Sequence, residues 1–350
     1  MKKMSKKRLL LTVLILAITL VISACGRKSE VKQPTEQPKE EAPKLRMVMV
    51  TNQAGVGDGG FNDMAWAGFK LAEKELGAVI HVIEPGEQAN FTPSLAAAAE
   101  QGYDMVVAVG FLLVDSLKEI ADLYPDTNFV IIDGMIEKPN VASVLFKENE
   151  AAYLAGIVAA KMTKTNIIGF IGGMETPPVL RFESGWKAGI MTVNPDIRIN
   201  FAFVGAFNNP GKAKEQALAL YDSGADVILE VGGLSGLGVI EAAKDAKKWF
   251  VACDMDKSAL GEGAQLTAAM KRIDNAVLEM AKNVQNGTFK AGIYNLGLKE
   301  NAVGLPENTA KIAGPEIMKI VEVLTEKIIK GELVIPSDRE QAKNFTPPKL

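Results

Sequence analysis

The segment Gly102-Tyr103-Asp104-Met105-Val106-Val107-Ala108-Val109-Gly110 returns 122 residues later as Gly224-Ala225-Asp226-Val227-Ile228-Leu229-Glu230-Val231-Gly232. Phe129-Val130-Ile131-Ile132-Asp133 returns after 121 residues as Phe250-Val251-Ala252-Cys253-Asp254, Phe61 is matched by Phe182 at 121, and Trp66 by Trp186 at 120. Matches in order at a nearly constant offset are hard to obtain without two copies of one supersecondary plan; the alternative is a single large sheet with coincidental similarity. Apolar strand-like runs alternate with amphipathic helical ones, which places the chain in the α/β class with parallel sheets. A hydrophobic share of 48% with only 6% aromatic residues suits buried Val/Ile/Ala strands covered by helices. The expectation is two doubly wound parallel-sheet lobes.

The ends of the chain belong to neither lobe. Met1 to Arg8 is basic and Leu9 to Val21 is apolar, the two regions of a signal peptide spanning 1–24. Ile22-Ser23-Ala24-Cys25 then places small residues before a cysteine, the pattern of a lipoprotein cleavage site at which the Cys25 thiol is lipidated. Gly26 to Lys44 is rich in Lys, Glu, Gln and Pro and too polar to bury a core, so 25–44 reads as a lipidated tether holding the domain on the outer face of a membrane. Cys253 is the only other cysteine, which excludes an internal disulfide and a cysteine-rich metal site. A net charge of −3 gives no reason to expect a nucleic-acid partner.

Gln265 to Arg272 ends a strand-like run, Ile273 to Gln285 is helical, Gly292 to Leu298 is strand-like, and Pro315 to Lys330 forms a last helix. Two copies with elements left over imply more than one crossing between lobes, hence a multi-crossover hinge able to close around a ligand. The expected ranges are 45–147 plus about 262–313 for the first lobe, 148–261 plus about 314–335 for the second, and 336–350 for a polar tail.

Ligands of open α/β sheets bind beyond the carboxyl ends of the strands. There the first copy carries Gly55-Val56-Gly57-Asp58-Gly59-Gly60-Phe61-Asn62-Asp63. Gly55, Gly57 and Gly60 fit the dinucleotide spacing, and Glu84 stands where a ribose-binding acid is expected. Asp58 argues against that reading, because its charge would face the pyrophosphate that a helix N-terminus attracts. Phe61 can instead stack on a flat ring, Asn62 offers donors and an acceptor to a base edge, and Asp58 can accept from ring or amino N–H groups. The plainer alternative is that Asp58 and Asn62 cap the following helix while Phe61 packs in its core. Asp133 and Asp254 end matching strands, where a carboxylate can accept from two sugar hydroxyls or cap a turn. Gly232, Gly233 and Ser235 can present N–H groups and a hydroxyl, or make a tight turn. Lys271, near a crossover, can reach a hydroxyl or pair with a cleft carboxylate.

With these residues the chain resembles the basic membrane protein family of bacterial lipoproteins, which includes purine nucleoside receptors of ABC transporters. The matching segments are Asp58-Gly59-Gly60-Phe61-Asn62, Gly110-Phe111, Tyr124-Pro125-Asp126 to Asp133, Ile168 to Met174 with Arg181-Phe182-Glu183, Gly224 to Val227, Gly232-Gly233, Cys253-Asp254 and Met270-Lys271-Arg272. The resemblance implies a periplasmic-binding-protein type I fold closing on a nucleoside, with Phe61 on the base, Asp58 and Asn62 on its edge, and Asp133, Asp254 and Lys271 holding the ribose or closing the cleft. It also implies ABC permease and ATPase subunits as partners, a monomeric receptor, and neither a cofactor nor a metal. Gly59-Gly60 stands where family members often carry a larger residue and a serine. Leu229, Val231 and Leu234 stand where a second stacking ring is expected, which leaves room for another flat ligand such as riboflavin. The rival class is an exported nucleoside-processing enzyme, but His81, the one histidine, lies in a strand-like run. A surface sensor sharing the same cleft is a third reading.

Overall fold

A computed structural model describes residues 44–350; the expected signal peptide, the lipidation site Cys25 and the tether through residue 43 lie outside the described residues. The first copy runs β1 (Arg46–Val50), α1 (Phe61–Leu76), β2 (Val79–Ile83), α2 (Phe91–Glu100), β3 (Met105–Val109), α3 (Val114–Leu123), β4 (Asn128–Ile132) and β5 (Val141–Phe146). The second begins with α4 (Glu148–Met162) and continues through β6 (Ile167–Gly172), α5 (Pro177–Val193), β7 (Arg198–Phe203), α6 (Pro210–Asp222), β8 (Val227–Val231), α7 (Gly236–Ala246), β9 (Trp249–Asp254), the single turn α8 (Ser258–Gly261) and β10 (Gln265–Lys271). Then come α9 (Ile273–Gln285), β11 (Gly292–Leu296), β12 (Val303–Gly304), α10 (Thr309–Ala313), α11 (Pro315–Ile329) and α12 (Arg339–Lys343).

Two six-stranded sheets result, ordered β11-β5-β4-β3-β1-β2 and β12-β10-β9-β8-β6-β7. The orders are the same when β6 to β10 and β12 stand for β1 to β5 and β11. The repeat holds at single-residue register: Phe129 pairs with Val106 in the first sheet and Phe250 with Ile228 in the second. β3 and β8 are buried along their whole length, which is why both read as unbroken apolar runs, apart from Glu230, rather than as alternating patterns. All pairings are parallel except the short β12 against β10.

The repeat also governs the hinge. β5 ends the first sheet, yet the helix that follows it, α4, packs on α5 of the second lobe; β10 ends the equivalent run of the second sheet, yet α9 packs back on α1 of the first. Each copy thus lends its last helix to the other. Close approach at these exchanged helices needs glycine: a Cβ on Gly68 of α1 would lie 2.7 Å from the Asp274 carbonyl oxygen of α9, and one on Gly189 of α5 would lie 2.1 Å from that of Tyr153 of α4.

Sheet membership corrects the expected ranges. Gln265–Lys271 is hydrogen-bonded to β9 in the second sheet rather than belonging to the first lobe, and β12 joins it there, while α9 and β11 do return to the first lobe. The physical reason is that β10 is the second copy's counterpart of β5, so the repeat ends at Lys271 and not near 262. The polar tail is not free either. Arg339 makes a bidentate pair with Glu183 of α5 at 2.7 Å and reaches Glu175 at 2.7 Å, and Phe345 sets its ring edge-on to Tyr153.

Candidate functional site

The loop before α1 is held by carboxylates. Val56 N–H donates to Glu84 Oε1 at 2.7 Å, Gly57 and Gly59 N–H donate to the two oxygens of Asp63 at 2.6 and 2.9 Å, and Gly60 N–H donates to Asp58 Oδ1 at 3.0 Å. These are the groups a pyrophosphate would need, so the glycine spacing does not make a dinucleotide cradle. Asp58 is wholly buried and also accepts from Asp63 N–H at 3.2 Å, Asn62 N–H at 2.9 Å and Asn62 Nδ2 at 2.9 Å. Burial pushes its carboxyl up, with the N–H donors opposing the shift. A carboxylate has about four acceptor sites, and all of those of Asp58 are taken. Asp58 therefore borders the cleft as the group that ties down the N-terminus of α1, the plainer of its two sequence readings.

Asp133 and Asp254 confirm the value of the repeat. Asp133 follows β4, Asp254 is the last residue of β9, and both have left-handed backbones, with φ of 63° and 65°. That conformation costs an L-residue of order 1–2 kcal/mol, and it turns the chain so that the two carboxylates border one cleft, Asp133 from the first lobe and Asp254 from the second. One oxygen of Asp133 takes the Lys271 ammonium at 2.6 Å, while Oδ1 is buried with no partner among the described residues.

Between the lobes lies a cleft with about 600 Å³ of empty space, counting its opening to solvent. Of the sequence candidates it is bordered by Asp58, Phe61, Asp133, Gly233, Asp254 and Lys271. Asn62, Gly232 and Ser235 are not on its wall. Asn62 lies beneath the loop, its amide spent on Asp58 and on Asn52 Oδ1 at 3.1 Å. Ser235 is buried and accepts from Asn209 N–H at 2.9 Å, donates to the Ala206 carbonyl at 3.0 Å, and has its own N–H on the Phe207 carbonyl at 3.0 Å. It holds the loop that carries Phe207.

Phe207 is the principal residue that sequence reasoning missed. A second aromatic wall was sought at Leu229, Val231 and Leu234; among the described residues Phe182 on α5 and Phe207 after β7 supply rings from the second lobe instead, beside Val231. Phe182 was reachable through its pairing with Phe61. Phe207 has no counterpart in the repeat, and its only signal is the glycine on either side of it: a Cβ at Gly173 would come within 2.4 Å of the Phe207 ring, and Gly233, with φ of +57°, packs on the same residue. Asn52, Phe111 and Thr176 also border the cleft. The Thr176 hydroxyl is buried without a partner among the described residues: Pro178 has no N–H to offer it, and it makes no capping bond to the next residue, Val179.

The lobes touch beside the cleft through the unexpected Gly59-Gly60 pair. A Cβ on Gly59 would stand 3.0 Å from Leu237, and one on Gly60 would stand 3.2 Å from Lys257 Nζ and 3.6 Å from Asp254 Oδ2. Larger residues would hold the lobes apart. Beneath this contact Lys257 is fully buried on Glu230 at 2.6 Å, and burial pushes the neighbouring Cys253 thiol well above its usual range, so it stays protonated.

At the hinge side, Lys271 is 1% exposed and bonded to Asp133 and, at 3.0 Å, to Glu148, which is also held by Arg181 Nε at 2.6 Å. Its ammonium stands 5.0 Å from the centre of the Phe61 ring, within cation–π range. Burial pushes Asp133 up to about 6, opposed by Lys271 and reinforced by Glu148. Burial also pushes Glu148 up, but the charges of Lys271 and Arg181 outweigh it and hold that carboxyl below its ordinary value. Lys271 is the one basic residue on the cleft wall among the described residues, and its charge is already matched.

Two parallel α/β lobes, exchanged hinge helices and an aromatic cleft at the strand ends define a two-lobed solute-binding protein. The class becomes particular on comparison: a family model described as "ABC transporter substrate-binding protein PnrA-like" matches residues 45–339, and the chain belongs to this Bmp family. It is 33% identical over 357 residues to the "ABC transporter nucleoside-binding protein BmpA" of Lactococcus lactis subsp. cremoris, covering 95% of this chain and all of that one. It is 32% identical to a "CD4+ T-cell-stimulating antigen" of Listeria innocua, covering 92% of this chain and 96% of that one. Among solved structures, a solute-binding protein of an ABC transporter system from Aeropyrum pernix K1 superposes with a TM-score of 0.79 at 30% identity, covering 86% of this chain and 96% of that one. The fold is accordingly that of type I periplasmic binding proteins, and the chain is an ABC transporter substrate-binding protein.

Proposed function

We propose that the chain captures a nucleoside, with a purine base, and presents it to the permease and ATPase subunits of an ABC transporter without chemical change. The observation that carries this reading is the cleft wall: Phe61 from one lobe and Phe182 and Phe207 from the other, with Asp133 and Asp254 at the strand ends and no uncommitted cation among the described residues bordering it. Aromatic faces suit a flat base, carboxylates suit paired sugar hydroxyls, and the lack of a spare cation disfavours a phosphate. The name of the Lactococcus relative, a nucleoside-binding protein, points the same way. On this reading the chain acts as a monomer on the outer face of a membrane, anchored through lipidated Cys25, consistent with relatives from Pyrococcus that are named lipoproteins.

Titration calorimetry of residues 44–350 against nucleosides, free bases, riboflavin and monosaccharides tests it. A purine nucleoside binds, and Phe61→Ala weakens it about fivefold to 150-fold, the equivalent of ~1–3 kcal/mol of stacking. Binding of riboflavin or a sugar in place of every nucleoside overturns the reading. So does an unchanged affinity in Phe61→Ala. Release of free base from inosine would restore the enzyme.

A further inference from the structure

Resting on the nucleoside reading, we infer that Asn52 is the residue that selects the base, and that it selects a 6-oxopurine over a 6-aminopurine. Asn52 lies two residues beyond the end of β1, is 8% exposed and borders the cleft. Its amide has one orientation. Oδ1 accepts from the Ala54 backbone N–H at 2.9 Å and from Asn62 Nδ2 at 3.1 Å. A flip would set the Asn52 NH₂ against both of those donors. The backbone N–H cannot reverse, and Asn62 Nδ2 is itself fixed by Asp58. Nδ2 is left with no acceptor among the described residues, so Asn52 meets the cleft as a donor only.

Gly110 shows where that donor stands. A Cβ at this position, whose φ is +118°, would lie 3.4 Å from Asn52 Nδ2 and 3.5 Å from Phe61 Cε1. Both groups flank one point, so a base stacked on Phe61 brings its rim beside the amide. The Hoogsteen edge of a 6-oxopurine carries two adjacent acceptors, O6 and N7; that of adenine sets an N6 donor beside N7. The two side-chain acceptors hydrogen-bonded around Asn52 are already committed: Asp58 to four N–H groups, Asn52 Oδ1 to two. Asn62 Oδ1 is unpartnered but lies off the cleft wall. The Thr176 hydroxyl can donate or accept and so does not discriminate.

The test is calorimetry of the unaltered protein with inosine, guanosine, adenosine and purine riboside, which lacks any 6-substituent, followed by Asn52→Asp. The aspartate keeps the acceptor for Ala54 and Asn62 and turns the donor into an acceptor. Inosine and guanosine are expected to bind about tenfold more tightly than adenosine and purine riboside, the factor for one hydrogen bond made or missing. In Asn52→Asp that order reverses, with adenosine ahead. Equal affinities across the series in the unaltered protein would overturn the role of Asn52 while leaving a nucleoside receptor. So would a preference for inosine that survives in Asn52→Asp. Absence of binding to all four would overturn the nucleoside reading itself. The series on the unaltered protein decides the matter even where the variant folds poorly.

Discussion

Replacing Lys271 by methionine removes one ammonium from between two buried carboxylates, and the structure says how the loss divides. Glu148 keeps Arg181, which grips it through Nε at 2.6 Å and Nη2 at 3.2 Å. Asp133 keeps no direct ion-pair partner, since Lys271 at 2.6 Å is the one it has among the described residues. Breaking a buried pair from one side costs about 3–5 kcal/mol. An unfolding entropy near 2.1 cal/mol/K per residue over about 300 residues converts this to a fall in Tm of about 5–8 °C. The pH dependence identifies the cause. With Lys271 present, burial already holds Asp133 up to about 6, and removing the ammonium raises it further. The unfolded carboxyl ionises near 4 while the folded one stays protonated to well above that, so the unfolded state binds fewer protons in between and stability falls as pH rises through the interval. The deficit of Lys271→Met is therefore larger at pH 8 than at pH 5.5, and Asp133→Asn in the same chain restores most of it. Differential scanning calorimetry at both pH values is the assay. A Tm within about 1 °C of the unaltered protein at pH 8, or a deficit that grows on acidification, would refute the reasoning.

Two further outcomes concern the cleft. Gly173→Ala places a methyl 2.4 Å from the Phe207 ring and pushes that ring off the wall, so nucleoside affinity falls about tenfold by calorimetry while Tm stays close to that of the unaltered protein. Ligand hydroxyls that donate to Asp133 require it ionised; with its carboxyl held at about 6, affinity is flat above neutrality and drops roughly tenfold for each pH unit below 6, and Asp133→Asn abolishes the slope.

What the sequence made legible follows from what repeats. The offset near 121 carried sheet order, strand register, the paired aspartates and the pairing of Phe61 with Phe182, because each of these is copied with the fold. Residues without a copy were harder to see. Phe207 sits after a half-exposed strand with no equivalent ring in the first lobe, and Thr176 looks like an ordinary helix cap until its hydroxyl is seen to make no capping bond. Asp58 and Ser235 were found but given ligand contacts, since a sequence lists an acceptor or a hydroxyl without showing which backbone groups have claimed it. Gly59 and Gly60 stand out in the sequence as a departure from the family, but their role shows only when Leu237 and Lys257 of the other lobe stand against them.

The same distinction explains how the cleft is joined to the hinge. The chain passes between lobes after β5, after β10 and between β11 and β12, and these passages lie side by side: Lys147 N–H donates to the Leu296 carbonyl at 2.8 Å and Arg272 N–H to that of Ala302 at 2.8 Å. Glu150, in the first turn after the first passage, accepts from Leu298 N–H in the third at 2.8 Å. Glu148 opens α4 just beyond the first passage, and Lys271 closes β10 just before the second, so their ion pair ties two passages together. Asp133 shares that ammonium and also borders the cleft. A ligand group that engages Asp133 therefore acts on the charge that binds two hinge strands to each other, and it does so through one side chain.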